Sequence, residues 1–302
     1  RPTLRRPFPR RRLAMSPPLR HPLLQWLIYG HVWLAVCVAA QILWVGLFLH
    51  DATDLDRYTL AAAFGTFAGY AVMRLARVHG PEVPRYPNLL WYQLHRRSIT
   101  FVAIAAAVSA FVLIWPLWGL LWRWLLPVMV LALLYVTPFT ASSGRGFGLR
   151  SIPFLKVLLI PCMWVIVTAA APLVLDEHHH SLLSIAAFAC MRLPLILALA
   201  ITFDIRDSAT DDPALRTVPL VFGLRGAKAI ALLLLVVSSI FEVVFLRGLG
   251  YSAAGGTVLF GYAVAAILIA RAKPVRDPIY YALYVDGVMV LIPLCVWIGT
   301  MF

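Results

Sequence analysis

An all-α integral membrane protein is the fold class this sequence predicts, and three observations carry it. The 302 residues are 62% apolar and 13% charged, with a mean hydropathy of +0.86. Soluble domains are about 45–50% apolar and about 25% charged. The apolar residues gather in nine long runs divided by short polar breaks, and the basic residues fall on alternate breaks. This composition excludes a soluble globular enzyme. It also excludes disorder, which needs low hydrophobicity.

The nine runs are 24–49, 58–73, 98–117, 121–139, 152–174, 181–203, 227–246, 251–270 and 279–300. A spanning helix needs about 20 apolar residues, so each is expected to cross the membrane. The second run is short, and only Pro116-Leu117-Trp118-Gly119 divides the third from the fourth. With the N-terminus placed in the cytoplasm, 22 Lys and Arg fall on inside segments and 3 (Arg57, Arg123, Arg247) on outside ones. Cytoplasmic loops carry such an excess, which predicts N-terminus inside, C-terminus outside, in a bacterial inner membrane.

Residues 22–302 thus read as one polytopic membrane domain. Residues 1–21 are basic and expected to be disordered. Six Arg lie before Met15, and residues 1–14 are expected to be a non-native extension. The loops at 74–97 and 204–226 take equivalent places in two four-helix halves, with the ninth helix left over. Cys37, Cys162, Cys190 and Cys295 all lie within apolar runs and form no CxxC pair, so they are expected to be small buried hydrophobes.

The stretch that carries chemistry is Asp204-Ile205-Arg206-Asp207-Ser208-Ala209-Thr210-Asp211, where the sixth run leaves the membrane. Its aspartates are spaced i, i+3, i+7, which puts them on one face of a continuing helix. Like charges so close repel unless a cation sits among them. Acidic residues at a helix C-terminus also oppose its dipole. Mg²⁺ favours one or two carboxylates plus substrate phosphates, so Asp204, Asp207 and Asp211 read as metal ligands of a Mg²⁺–diphosphate site. A solvated acidic helix end is the alternative. Arg216 and Arg225 follow in the same loop and can supply cations to a diphosphate.

The pattern DxxDxxxD, then Arg216-Thr217-Val218-Pro219 and Phe222-Gly223, resembles the second aspartate motif of the UbiA superfamily of intramembrane prenyltransferases. Leu134-Tyr135, leading to Arg145, Arg150 and Lys156, is similar to that family's stretch after the fourth helix. The resemblance implies a nine-helix UbiA-like bundle. It also implies a Mg²⁺-dependent transferase that moves an isoprenyl group from an isoprenyl diphosphate to an aromatic or other lipophilic acceptor. On that basis Asp204, Asp207 and Asp211 are catalytic and bind the metal, and Arg216, Arg145 and Lys156 contact the diphosphate. The family's first aspartate motif is missing: Ala68 to His79 carries no carboxylate and no Asn. Either the chain is degenerate, or Arg74 and Arg77 take the first metal's place, since guanidinium binds phosphate bidentately. A salt bridge from Arg74 or Arg77 to Asp204 or Asp207 is the plainer reading.

Arg192 falls near mid-membrane, where ionisable residues are costly and mark function or pairing. Glu242 and Asp286 are its open partners. Asp286 falls about 9 Å below the inside surface, at a depth that can face a cavity under the aspartate loop. Two other classes compete with a transferase. One is a non-catalytic membrane protein that binds an isoprenoid or quinone. The other is a transporter, which the absence of paired broken helices disfavours. Nucleic acid is not expected as a partner, because the basic residues are spread over loops as topology demands.

Overall fold

The computed structural model describes residues 19, 21–49, 54–78, 87–136, 139–140, 146–147, 152, 154–176, 180–211, 215–274, 277 and 279–302. The described chain is helical apart from a two-residue antiparallel pair, β1 (Phe139–Thr140) with β2 (Gly146–Phe147). The helices are α1 (Pro22–Tyr29), α2 (Val32–Gly46), α3 (Leu55–Leu75), α4 (Pro87–Leu94), α5 (Arg96–Ile114) and α6 (Trp118–Val136). They continue as α7 (Leu155–Val174), α8 (Leu182–Asp207), α9 (Val218–Gly248), α10 (Ser252–Arg271) and α11 (Tyr280–Gly299).

Among the described residues six helical stretches are long and apolar enough to cross a membrane, or seven if the bent pair α1–α2 is one span. These are the helices of a multi-pass integral membrane protein. The count departs from the nine expected runs for local reasons. The first run breaks at Gly30-His31, where His31 takes φ 62° and the two helices meet at 56°. The second run, α3, carries Asp56, Arg57 and Arg74 and is not apolar enough to qualify. The third and fourth join as one 40-residue apolar stretch, Arg96–Tyr135. Its contacts show a hairpin. Ile99 packs with Phe67 and Ala71 at one end of α3, while Leu117 and Leu121 pack with Leu55 and Tyr58 at the other. Tyr135 then returns to electrostatic contact with Tyr70.

Packing follows a ring. α2 lies against α11, α11 against α10, α10 against α9, α9 against α8, α8 against α7, and α7 back against α2. α3 and α5 are added outside α2, and α6 outside α7. Prolines sit inside α6 (Pro127), α7 (Pro161), α8 (Pro194) and α11 (Pro293). Membrane helices tolerate this because neighbouring helices and local π or 3₁₀ turns re-satisfy the freed backbone groups. Accordingly α7 widens to a π-turn at Ile166–Ala170, and α11 begins with one at Tyr280–Val285. Cys37 and Cys295 are buried as expected. Cys162 and Cys190 are instead exposed, on the outward faces of α7 and α8, where an apolar thiol can meet lipid.

Close helix approach depends on glycine at the α10–α11 seam. A Cβ on Gly299 would strike the backbone of Ala254 and the hydroxyl of Thr257. One on Gly69, on α3, would meet nothing within 4 Å. Gly299→Ala is therefore expected to destabilise the protein by about 1–3 kcal/mol through overpacking. Gly69→Ala should be neutral or stabilise by up to about 1 kcal/mol through helix propensity. Unfolding midpoints of the two variants in detergent check this ordering, and equal midpoints would contradict it.

Candidate functional site

The site grows from the last turn of α8. Ser181 caps the far end of this 26-residue helix by accepting from the Ser184 N–H at 3.1 Å. The helix then brings Thr202 and Asp204 into the core, where Asp204 is 1% exposed. A buried carboxylate needs a partner, and α7 provides it. The Lys156 ammonium lies 2.9 Å from Asp204 Oδ1 and 3.6 Å from Asp207 Oδ2. Arg206 Nε donates to Asp207 Oδ1 at 2.7 Å and its Nη2 to Oδ2 at 3.2 Å. The helix ends at Asp207, yet one further turn forms, because the Asp211 N–H donates to the Asp207 carbonyl at 2.9 Å. All three aspartates thus fall within electrostatic reach of Lys156.

A second group of side chains meets Arg206 from inside the ring. Its guanidinium lies 4.8 Å from the Phe203 ring and 5.7 Å from that of Tyr281. Asp286, on α11, is in electrostatic contact with it. Arg74, in the last turn of α3, interacts with Arg206 and Arg77, both of its own sign. Among the described residues no carboxylate lies at ion-pair distance from Arg74. Around it stand His31, which stacks on Tyr70 at 5.2 Å, and Tyr92, whose hydroxyl shares a 3.3 Å hydrogen bond with His31 Nδ1. The non-glycine residues of positive φ among those described are His31, Phe154 and Arg216. Each enters a helix that borders this end of the bundle, and strained backbone of this kind collects at functional sites.

The expected site residues are brought together unevenly. Asp204, Asp207 and Lys156 converge. Arg74 and Asp286 face Arg206, which from sequence counted only toward topology. The expected salt bridge from Arg74 or Arg77 to Asp204 or Asp207 is not seen among the described residues, because Lys156 and Arg206 already hold those carboxylates. Arg216 is exposed and makes no hydrogen bond or ion pair with the cluster. Arg145 and Arg150 lie outside the described residues. Gly223 (φ 70°) kinks α9 just after Pro219, so the motif's glycine is a hinge between the loop and the helix.

Asp204 Oδ2 and Thr217 Oγ1 are buried without hydrogen-bond partners. With Lys156 they line a cavity of ≈ 10 Å³, room for one water. No group of three or more His, Cys, Asp or Glu among the described residues is set to hold a metal ion. The cation among the aspartates is an ammonium, and a divalent ion would have to displace it. The residues as arranged do not fit a Mg²⁺ cluster.

Arg192, 3% exposed, meets Glu242 rather than Asp286. It donates to Glu242 Oε2 at 2.8 Å and to Gln41 Oε1 at 2.6 Å, with its guanidinium 4.0 Å over the Trp44 ring. Tyr262 also donates to Glu242 Oε2, at 2.6 Å. Gln41 in turn donates to the Met289 carbonyl at 2.6 Å. The sequence offered Glu242 as a partner but gave no sign of Gln41 or Tyr262, which come from helices remote in the chain. The network ties α2, α8, α9, α10 and α11.

No family model matches the sequence, and no curated protein matches it. The structure is similar to the solved apo structure of a UbiA homolog from Aeropyrum pernix K1. The TM-score is 0.57 at 15% sequence identity, over 90% of this chain and 97% of that one. The two share a fold, the UbiA-like membrane bundle.

Breaking the Arg192–Glu242 pair from one side leaves a buried charge alone, which costs about 3–5 kcal/mol. Glu242→Leu should therefore lower the unfolding midpoint in detergent sharply, and Arg192→Met/Glu242→Leu should recover most of the loss. Additive losses would mean that the pair is not coupled.

Proposed function

We propose that this chain is a membrane prenyltransferase that moves an isoprenyl group from an isoprenyl diphosphate to an aromatic or other lipophilic acceptor. The observation that carries this reading is Lys156 and Arg206 set beside Asp204 and Asp207, with Arg74 in electrostatic reach of Arg206, at one end of a UbiA-like bundle. Heterolysis of the allylic C–O bond leaves the bonding pair on the diphosphate and a cation on the prenyl chain. Fixed N–H donors beside the departing oxygens stabilise that charge separation, the term that dominates in such sites. Aromatic faces attract a cation, and Tyr70, Phe203 and Tyr281 border the inner side of the cluster. The acceptor's π electrons then form the new C–C bond, and its proton departs. His31 and Asp286, in electrostatic contact with Arg206, are placed to take it.

In this reading the chain spans the membrane nine times, as two four-helix halves and a ninth helix. The N-terminus and the site face the cytoplasm, and the C-terminus lies outside, in a bacterial inner membrane. The basic asymmetry of the loops supports this orientation. A second reading, a protein that binds an isoprenoid or quinone without transferring it, is favoured by one feature: the stretch from Ala68 to Val78 offers no carboxylate opposite Asp204.

The test is to incubate the detergent-purified chain with radiolabelled geranylgeranyl diphosphate and a pool of lipophilic phenols and quinols, with and without Mg²⁺. Labelled prenylated product is expected, with Lys156→Gln lowering turnover by about 10²-fold or more. Diphosphate binding without product supports the second reading. Absence of binding contradicts both.

A further inference from the structure

We infer that fixed cations of this chain, Arg74, Arg206 and Lys156, hold the diphosphate without a divalent metal. The inference rests on the diphosphate reading above and concerns how that anion is neutralised. The missing negative charge is visible at Arg74. Arg74 is half-buried, its charged neighbours are Arg77 and Arg206, and like charges held this close repel unless an opposite charge sits among them. Tyr92 and Tyr70 offset this in part, but no described carboxylate pairs with Arg74, so an anion between Arg74 and Arg206 is the stabilising element that the arrangement lacks. A diphosphate supplies one.

Donor chemistry agrees. Guanidinium carries five N–H donors and ammonium three. Asp207 engages Arg206 through Nε and Nη2, leaving Nη1 free to donate, and Asp204 takes one direction of the Lys156 ammonium. The Arg74 side chain makes no hydrogen bond with any described residue, so its whole fork is available for the bidentate contact that guanidinium makes with phosphate. The carboxylates already hold protein cations, although Asp204 Oδ2 is left without a hydrogen-bond partner. Asp204 and Asp207 hold Lys156 and Arg206 in place, and no described cluster suits a metal. In this chain the aspartates orient cations of the protein instead of gathering cations from solution. Where a carboxylate-lined stretch would bring its own metal, α3 brings Arg74.

The experiment measures equilibrium binding of geranylgeranyl diphosphate to the full-length chain in detergent, once with EDTA and once with excess Mg²⁺. Inorganic pyrophosphate serves as competitor in both. The expected result is binding in EDTA within about threefold of that in Mg²⁺, displaced by pyrophosphate. Arg74→Gln should weaken it by about tenfold or more, the worth of a charge-assisted hydrogen bond. Binding that requires Mg²⁺ would overturn the inference and leave the diphosphate reading standing. Binding in neither condition would remove the diphosphate reading itself. The wild-type comparison decides between these even if Arg74→Gln fails to fold, and Arg74→Lys, which keeps the charge but loses the fork, should fall between wild type and Arg74→Gln.

Discussion

Charge buried among apolar helices must be paired, and that constraint organises this molecule. It is met at two levels of the bundle. In the interior, Arg192 is closed in by Glu242, Gln41 and the face of Trp44, and one guanidinium ties together helices from both halves of the chain. At the end where α8 leaves the bundle, Lys156 and Arg206 close on Asp204 and Asp207. Asp204 is the buried member of this cluster, and removing Lys156 would leave its charge without a partner. Arg74 is where the constraint is left unmet by the described residues, and that is what separates a binding site from a structural pair.

Much of the fold was legible in the sequence because apolar runs and polar breaks report directly on bilayer spans. Most helix limits follow the runs to within a few residues, but α9 starts at Val218, nine residues ahead of its run, and α4 (Pro87–Leu94) falls within the expected loop at 74–97. Details set by tertiary packing were not legible. The break at Gly30-His31 falls inside one apolar run, and only the backbone at His31 shows that the helix turns there. The turn between α5 and α6 is three 3₁₀ residues, Trp115–Leu117, as apolar as the helices they divide.

The candidate site was legible in part for a related reason. The spacing of Asp204, Asp207 and Asp211 marks a cation site, and a cation is present among them, but it is the ammonium of Lys156. Sequence places Lys156 in a basic loop, and nothing in its neighbours says which helix face it takes. Arg206 lies inside the motif, and a loop rich in Arg hides the one that turns inward. Residues that meet across the ring, such as Gln41 with Arg192 or His31 with Tyr92, leave no periodic trace at all.

The shared fold with a UbiA homolog gives the scaffold, and the chemistry is this chain's own. Protein cations stand where carboxylates and metal would otherwise meet a diphosphate. The decisive measurement is a structure determined by cryo-electron microscopy with a non-cleavable geranylgeranyl thiolodiphosphate, in EDTA. Phosphate density is expected within hydrogen-bond distance of Arg74, Arg206 and Lys156, with Lys156 still on Asp204. Lys156 displaced from Asp204, or the diphosphate bound at another end of the bundle, would contradict it.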